Sequence, residues 1–218
     1  MKNNLEILYE DNHIIVVVKP FNILSQSDDT KDIDMLTLIK SYLKEKYNKP
    51  GNVYLGLIHR LDRPTGGIMV FAKTSKAASR LSEQIRLNLF TKKYLAIVNG
   101  YFDEKAGVFE DYILKKEDNS SVISNLGKYA KLEYEVLKEK SNLSLVNIIL
   151  HTGRHHQIRV QFASRNHPLY GDQRYGKSSK KQLALFAYYL SFNHPVTKEK
   201  LEFIKYPDKV GIWKEFIC

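Results

Sequence analysis

Four ionisable residues stand within five positions of one another in the second quarter of the sequence: His59, Arg60, Asp62 and Arg63. An isolated buried charge is too costly to keep, so these groups need water or one another. A carboxylate between two guanidinium groups is expected to stay ionised, and it can then serve as a base or as a nucleophile. The alternative is a surface turn with a local ion pair, which contributes little to stability.

The flanks of this cluster predict the elements that position it. A strand at residues 53–58 leads into the cluster, and an apolar strand at residues 68–71 leads away from it. Between them, Pro64, Thr65 and two glycines favour a turn. Asp62 is therefore expected on a hinge between two strands.

Residue patterns predict the remaining elements. Strands are predicted at residues 5–9, 13–18, 92–100, 108–114, 129–138, 143–150, 183–192 and 201–205. Helices are predicted at residues 35–48, at 75–89 with Ser75 as N-cap, and at 154–164 after Thr152 and Gly153. Many strands and no βαβ alternation predict an α+β fold with a mixed, largely antiparallel β-sheet core and a few flanking helices. No linker divides the chain, so residues 1–218 are predicted to form a single domain.

The chain is strongly basic, with 34 Lys and Arg against 24 Asp and Glu and a net charge of +10. Such an excess predicts attraction to a polyanion and fits a nucleic-acid partner. The excess is concentrated in two segments. Residues 73–93 carry six basic residues and one acidic residue, and residues 151–181 carry seven basic residues and one acidic residue, Asp172.

Composition also excludes several classes of protein. The only cysteine is Cys218, which excludes an intrachain disulfide and a cysteine-based zinc site. The longest strongly apolar run, residues 14–18, is too short to span a bilayer. Acidic residues stand near the N-terminus, where a secretory signal would be apolar. A cytoplasmic protein without a membrane partner is predicted.

Four sequence blocks stand in order along the chain: YEDNHIIVVVKP, HRLDRPTGGIMVFAK, KKYLAIVNG, and TGRHHQIRV with HPLYGDQRYG. Together they resemble the RNA pseudouridine synthases of the RluA type over nearly the whole chain. The resemblance implies the pseudouridine synthase fold, with a central catalytic cleft. It also implies an enzyme that isomerises specific uridines of structured ribosomal or transfer RNA to pseudouridine, without metal or cofactor.

The resemblance also assigns roles to individual residues. Asp62 is implied to be the essential catalytic carboxylate, and Arg60 is implied to help hold the target nucleotide out of its stack. Tyr94 is implied to stack on the target base. Arg159 is implied to pair with the catalytic aspartate, and Ile158 to form part of the apolar wall. From the residue pattern alone, Tyr94 would be a core residue and Arg159 a surface residue.

The chemistry of this reaction fits the same residues. The bond between uracil N1 and ribose C1′ must break and the base must rejoin through C5, so a carboxylate could attack the sugar or remove a ribose proton. Both roles stay open for Asp62. A base inside a helix is unreachable and must be flipped out. Basic and polar residues near the blocks are predicted to bind the RNA: Lys19, His59, Arg63, Lys93 and Arg154.

Three histidines, His151, His155 and His156, could suggest a zinc site. However, the sequence has neither the glutamate of an HExxH motif nor a nearby cysteine, so a polar or RNA-facing role and no metal are predicted. An extra N-terminal RNA-binding domain of the S4 type is expected to have no room, because residues 5–9 are predicted to belong to the catalytic domain. A monomer is expected.

The chain departs from the usual family pattern at three positions. Asn22 stands where glycine is common, Gly66 where serine is common, and Gln161 where histidine is frequent. Asparagine tolerates a positive φ angle better than most residues, so the turn at Asn22 is expected to survive. None of the three belongs to the predicted catalytic set.

Two other functions compete with this interpretation. An inactive RNA-binding protein of the same fold would be expected to have lost Asp62, Tyr94 or Arg159, but all three are present. A glycoside hydrolase would need a second carboxylate beside Asp62. The blocks and their flanks offer only Asp172 and Glu83, and neither lies in a motif that favours this role.

Overall fold

The computed structural model describes residues 5–30, 32–176 and 180–217. Lys177 of the second basic segment and Cys218 lie outside these residues. The chain divides into two compact units. The first contains the described residues up to Phe90 and Tyr189–Lys205, and the second contains Thr91–Tyr188 and the residues from Tyr206 onward. The single-domain organisation of residues 1–218 stays a prediction.

The described residues form strands, three α-helices and one short 3₁₀ helix. In chain order the elements are β1 (Glu6–Glu10), β2 (Ile14–Lys19), α1 (Met35–Lys46), β3 (Gly56–Leu57), β4 (Gly66–Ala72), α2 (Ser75–Arg86), β5 (Thr91–Asn99), β6 (Ala106–Lys115), β7 (Ser121–Ile123), β8 (Lys128–Lys140), β9 (Leu143–Leu150), α3 (Gln157–Ala163), β10 (Leu185–Asn193), β11 (Lys200–Ile204) and the 3₁₀ helix Gly211–Glu215. The α+β class with a largely antiparallel sheet and few helices is confirmed.

The first unit is built around β2 and β4. These strands pair antiparallel, from Ile14 opposite Ala72 to Lys19 opposite Gly67, and all their residues are buried. β1 pairs with β2, and both β3 and β10 lie beside β4. Continuous burial explains why both strands are runs of aliphatic residues without polar alternation. The strand that leaves Asp62 is therefore buried along its whole length.

Helix α2 packs on this sheet through Ala77 and Leu81, as its four-residue spacing predicts. The predicted N-cap is wrong by one residue, because the Thr74 side chain, not that of Ser75, accepts the Ala77 N–H at 3.2 Å. Thr74 has the extended backbone that an N-cap requires, whereas Ser75 is already helical. The helix also ends before Leu89, which is exposed.

The second unit contains the predicted long hairpin, β8–β9, which is confirmed. Lys140 lies opposite Leu143, and Ser141 and Asn142 both have positive φ angles, as a two-residue hairpin turn requires. β9 also pairs with β5, and β8 with β6. On one face of this sheet, Phe162 of α3 packs its ring on Phe109, with 5.1 Å between centroids.

Two predicted elements begin or end at clearly different residues in the structure, and two observed elements were not predicted. Helix α3 begins at Gln157 instead of residue 154, because His156 has a φ angle of 53° and lies in the left-handed region. The strand predicted at residues 53–58 is reduced to β3, and the predicted pattern did not include β7 or the 3₁₀ helix. β7 pairs with β6 over only three residues, which is too short to show alternation. Within the described residues, no helix combines the length and apolar character needed to cross a membrane.

Candidate active site

Asp62 lies on the turn between β3 and β4, so its predicted hinge position is confirmed. The Thr65 backbone N–H donates to the Asp62 carbonyl at 2.9 Å and closes a four-residue turn. Pro64 restricts the backbone inside this turn. The Asp62 side chain is half-buried. A carboxylate on a closed turn that leads into a buried strand has a well-defined position.

Ser25 fixes the residue that precedes Asp62. Its buried hydroxyl donates to the Leu61 carbonyl at 2.8 Å and accepts the Leu61 N–H at 3.1 Å. Rotation of the Leu61 backbone would break both bonds inside the protein, where unpaired polar groups are costly. Sequence reasoning missed Ser25, because a single serine in a polar loop carries no signal of a long-range partner.

Lys19 fixes the residue that follows Asp62. Its ammonium donates to the carbonyl oxygens of Arg63 at 3.1 Å, Pro20 at 3.0 Å and Ile23 at 2.6 Å. The side chain is fully buried. The predicted contact of Lys19 with RNA is therefore corrected, because backbone carbonyls inside the first unit surround the ammonium. Lys19 instead holds the Asp62 turn against the loop that follows β2.

Burial also changes the charge state of Lys19. Removal from water lowers the pKa of Lys19 to about 7, and this effect outweighs the nearby Asp62 carboxylate, which raises the pKa. The charge of Arg63 lowers the pKa further. With a pKa of about 7, the Lys19 side chain beneath the turn is about half protonated near neutral pH.

We expect the free energy of unfolding to rise with pH from about 7 to about 10, and Lys19→Met to remove that part of the rise. The pKa of Lys19 is about 7 in the folded chain and about 10.4 in an unfolded chain. Between these values the unfolded chain binds one more proton, so stability increases with pH by up to about 1.4 kcal/mol per unit. Urea unfolding across this pH window measures the difference between the two proteins.

Lys40→Met is the control for this experiment, because it removes an exposed lysine of α1. This control variant should keep the wild-type increase with pH. An unchanged pH slope in Lys19→Met would contradict the assignment.

The charged neighbours of Asp62 have distinct surroundings. His59 Nε2 accepts the backbone N–H of Val70 at 3.2 Å, which ties the incoming chain to β4. The Arg63 guanidinium forms an ion pair with Asp32 at 2.8 Å, and both side chains are about half exposed. Arg60 is exposed. The RNA-binding roles of His59 and Arg63 and the nucleotide-holding role of Arg60 stay predictions.

In the second unit, Tyr94 and Lys93 lie on β5. Tyr94 is buried opposite Ile148 of β9, and Lys93 lies opposite Ile149 at a half-buried position. Neighbouring residues of a strand point to opposite faces, so the two side chains cannot serve the same face of the sheet. The roles predicted for Tyr94 as a base platform and for Lys93 as an RNA contact stay predictions.

Helix α3 carries Arg159 and Ile158, and both are buried. The surface position that the pattern alone suggested for Arg159 is wrong. Its Nε and Nη2 donate to the two carboxylate oxygens of Asp172, each at 2.8 Å. Burial raises the pKa of Asp172, but the hydrogen bonds and charge of Arg159 and two backbone N–H groups outweigh it, so the pKa is lowered.

Sequence reasoning missed Asp172 as a partner of Arg159. The available signal was that Asp172 is the only acidic residue in the basic segment 151–181. The pairing also removes Asp172 as the second carboxylate of a glycoside hydrolase, because a general acid must hold a proton. Glu83, the other candidate, forms a hydrogen-bonded pair with Arg86 on the exposed face of α2.

The segment before α3 is held by Gln157. Its side-chain carbonyl accepts the Thr152 hydroxyl at 2.8 Å and the Arg154 N–H at 3.0 Å, while its amide donates to the Lys131 carbonyl at 3.1 Å. The Arg154 Nε donates to the Tyr129 carbonyl at 2.7 Å. The guanidinium of Arg154 is therefore anchored at one edge, and its RNA contact stays a prediction.

The three histidines near α3 have separate partners. His151 Nε2 contacts Glu133 at 2.9 Å, His155 Nδ1 contacts the Ser121 hydroxyl at 3.1 Å, and His156 Nδ1 contacts the Tyr175 hydroxyl at 2.8 Å. In the ranges 5–30, 32–176 and 180–217, no group of three or more His, Cys, Asp or Glu side chains is arranged to hold a metal ion.

Many cations of the two basic segments bind other parts of the chain. Lys73 and Arg159 each pair with a buried carboxylate, and Arg80 donates to a backbone carbonyl. Arg86 and Arg165 pair with surface or half-buried carboxylates. Their charge cannot be counted in full as RNA-binding charge. The set of lysines and arginines in these segments that is predicted to bind RNA is therefore smaller than the sequence alone suggested.

Two of the three departures from the family pattern have a structural explanation. Asn22 has a φ angle of 64°, which is the left-handed conformation that was expected for it. Gln161 is fully buried, and its amide donates to Asp111 at 2.7 Å and to the Phe109 carbonyl at 3.3 Å, which ties α3 to β6. Gly66 begins β4.

The chain is similar in sequence to known proteins. Residues 13–164 match the sequence model of the family described as RNA pseudouridylate synthase. An uncharacterised RNA pseudouridine synthase of Aquifex aeolicus is 35% identical over 215 residues, covering 91% of this chain and 68% of the relative. Ribosomal large subunit pseudouridine synthase C of Buchnera aphidicola is 30% identical, covering 92% of this chain and 66% of the relative. The chain thus spans about two thirds of the length of these relatives.

The fold is also found in solved structures. Human RNA Pseudouridylate Synthase Domain Containing 4 superposes with a TM-score of 0.79 at 24% identity, covering 94% of this chain and 89% of that protein. Human RNA Pseudouridylate Synthase Domain Containing 1 superposes with a TM-score of 0.76 at 23% identity, covering 94% of this chain and 84% of that protein. At these identities the likeness shows a common fold.

Proposed function

The chain belongs to the RNA pseudouridylate synthase family, and on that basis we propose that it isomerises specific uridines of structured RNA with Asp62 as the catalytic carboxylate. Enzymes of this family convert uridine in RNA to pseudouridine, so the reaction is an isomerisation. The proposed substrate is ribosomal or transfer RNA. A monomeric chain that acts in the cytoplasm, without metal or cofactor, is part of the proposal.

The observation that carries this proposal is the fixed turn of Asp62. Ser25 holds the preceding residue, Lys19 holds the following one, and the turn closes on itself through Thr65. Catalytic groups work best when their own supports are rigid, because misplacement by about 1 Å can cost about 10²-fold in rate. An ordinary surface ion pair would not need two buried polar side chains beneath its backbone.

The chemistry assigned to Asp62 follows from the reaction. The bond between N1 and C1′ breaks, the base turns, C5 bonds to C1′, and the hydrogen leaves C5 while N1 gains a proton. The ionised carboxylate of Asp62 either attacks the sugar or removes a ribose proton. Both routes need the negative charge of Asp62, so its replacement by a neutral residue tests either route.

The remaining roles are part of the same proposal. Arg60 and Tyr94 hold the flipped nucleotide, since a guanidinium and an aromatic ring both stack on bases. Arg159 pairs with the Asp62 carboxylate during the reaction and keeps it ionised. Ile158 contributes to an apolar wall beside the base. These roles come from the resemblance and stay predictions.

Mapping of pseudouridine in total RNA from cells that lack the gene tests the proposed function. We expect at least one pseudouridine in ribosomal or transfer RNA to disappear, because the enzyme that would form it is missing from these cells. Return of the gene should restore each lost site, whereas a gene carrying Asp62→Asn should restore none.

The outcome also separates the active enzyme from an inactive RNA-binding protein of the same fold. Absence of any lost site, or restoration of every site by Asp62→Asn, would favour the RNA-binding protein and overturn the enzyme proposal. The position of the lost site would identify the substrate as ribosomal or transfer RNA.

A further inference from the structure

Asp172 is a buried carboxylate for which the proposed mechanism has no role. Only 2% of its surface is exposed. Its Oδ2 accepts from Arg159 Nε and its Oδ1 from Arg159 Nη2, each at 2.8 Å. Two parallel charge-assisted bonds fix both the direction and the plane of a guanidinium. Asp172 therefore determines how the end of Arg159 is oriented.

The Asp172 carboxylate is itself fixed by its own loop. Its Oδ1 also accepts the backbone N–H groups of Arg174 at 2.9 Å and Tyr175 at 3.1 Å. The preceding Gly171 has a φ angle of 77°, and a Cβ atom at this position would lie 2.2 Å from the Gln182 carbonyl oxygen. The close backbone approach at Gly171 and the two N–H bonds leave the carboxylate little freedom to turn.

Tyr175 supports the face of the same guanidinium. The Arg159 Cζ lies 5.2 Å from the centre of the Tyr175 ring, a cation–π distance. The Tyr175 hydroxyl accepts the Ser121 N–H at 2.7 Å and lies 2.8 Å from His156 Nδ1. Arg159 is thus held at one edge by a carboxylate and on one face by an anchored ring.

This arrangement restricts how Arg159 can meet a second carboxylate. A guanidinium has two edges that can bind a carboxylate through two N–H groups, namely Nε with one Nη, and the two Nη groups together. Asp172 uses the first edge. A second carboxylate can therefore meet two N–H groups only at the Nη1–Nη2 edge, whose direction is set by the first pair.

Building on the proposed function, in which Arg159 pairs with Asp62, we infer that Asp172 is a positioning residue that orients the Arg159 guanidinium for this reaction. Asp172 does not touch the substrate in this role. It acts through Arg159, so its removal should lower the rate of the chemical step and leave RNA binding unchanged. A purely structural ion pair would lower the free energy of unfolding but would cause no selective loss of kcat in the folded enzyme.

A double-mutant cycle tests this inference with Asp172→Asn, Arg159→Met and the combined variant. The asparagine amide points a donor at a guanidinium that has only donors, so Asp172→Asn should lower kcat by about 10- to 100-fold and keep KM within about twofold. In the Arg159→Met background, Asp172→Asn should lower kcat no further. Equal losses from Asp172→Asn in both backgrounds would overturn the inference.

Asp172→Glu is a second variant, in case Asp172→Asn does not fold. It keeps the charge but moves it by one methylene group, so kcat should fall by about tenfold with KM unchanged, and full activity would overturn the inference. Urea unfolding of each variant shows that it is folded at the assay temperature. If the wild-type chain is inactive on RNA from cells that lack the gene, the proposed function is refuted. If the wild-type enzyme is active but the losses in kcat from Asp172→Asn and Arg159→Met are additive, only the role of Asp172 is refuted.

Discussion

Asp62→Asn is expected to reduce pseudouridine formation by about 10⁴-fold or more while RNA binding persists. The amide has nearly the shape of the carboxylate but carries no charge, so it can neither attack the sugar nor accept a ribose proton. The bonds that hold the turn involve backbone atoms of Leu61, Asp62 and Arg63, which the substitution leaves in place. The turn should therefore survive the loss of the charge.

Release of the C5 hydrogen from labelled uridine in RNA measures this loss, and filter binding measures the affinity. Asp32→Asn is a matched control, because it removes another carboxylate of the first unit, one that pairs with Arg63 on the surface. The control variant should keep nearly full activity, since an exposed ion pair contributes little. Substantial activity of Asp62→Asn, or an equal loss in Asp32→Asn, would refute the catalytic assignment.

Affinity for RNA is expected to fall by about 10²- to 10³-fold between about 50 and about 200 mM salt. Each phosphate that a lysine or arginine neutralises releases counterions, and about four to six such contacts give a loss of this size. The net charge of +10 favours this attraction. We expect no larger loss of affinity, because many cations of the two basic segments already bind carboxylates or carbonyls of the chain.

Binding titrations at several salt concentrations give the slope of log affinity against log salt concentration. A single substitution then shows how much of this slope one residue contributes. Arg154→Gln should reduce the slope by about one contact. Lys138→Gln is the control in the same unit, because Lys138 lies near the far end of β8, about 30 Å along the strand from Tyr129, the partner of Arg154. A salt-independent affinity would exclude a basic RNA-binding surface, and equal effects of the two substitutions would exclude a specific contact at Arg154.

Local patterns predicted most strands of this fold. β2, β4 and β9 are rich in apolar residues with a high preference for strands, so their positions could be predicted to within a residue or two. Errors occur where a tertiary contact overrides a local pattern. Gln157 folds its side chain back onto Thr152 and Lys131, which holds residues 154–156 out of the helix that the pattern predicts.

The sequence by itself determined the chemistry that this chain can carry. The ordered blocks that contain Asp62, Tyr94 and Arg159 indicated the family, and the roles of these three residues in its reaction stay predictions. The tertiary structure alone decided which groups hold the Asp62 turn and the Arg159 guanidinium. Ser25 lies 36 positions from Leu61, Lys19 lies 44 from Arg63, and Asp172 lies 13 from Arg159. Such partners meet only after the chain has folded, because no local preference of a serine, lysine or aspartate specifies a side chain so distant in sequence.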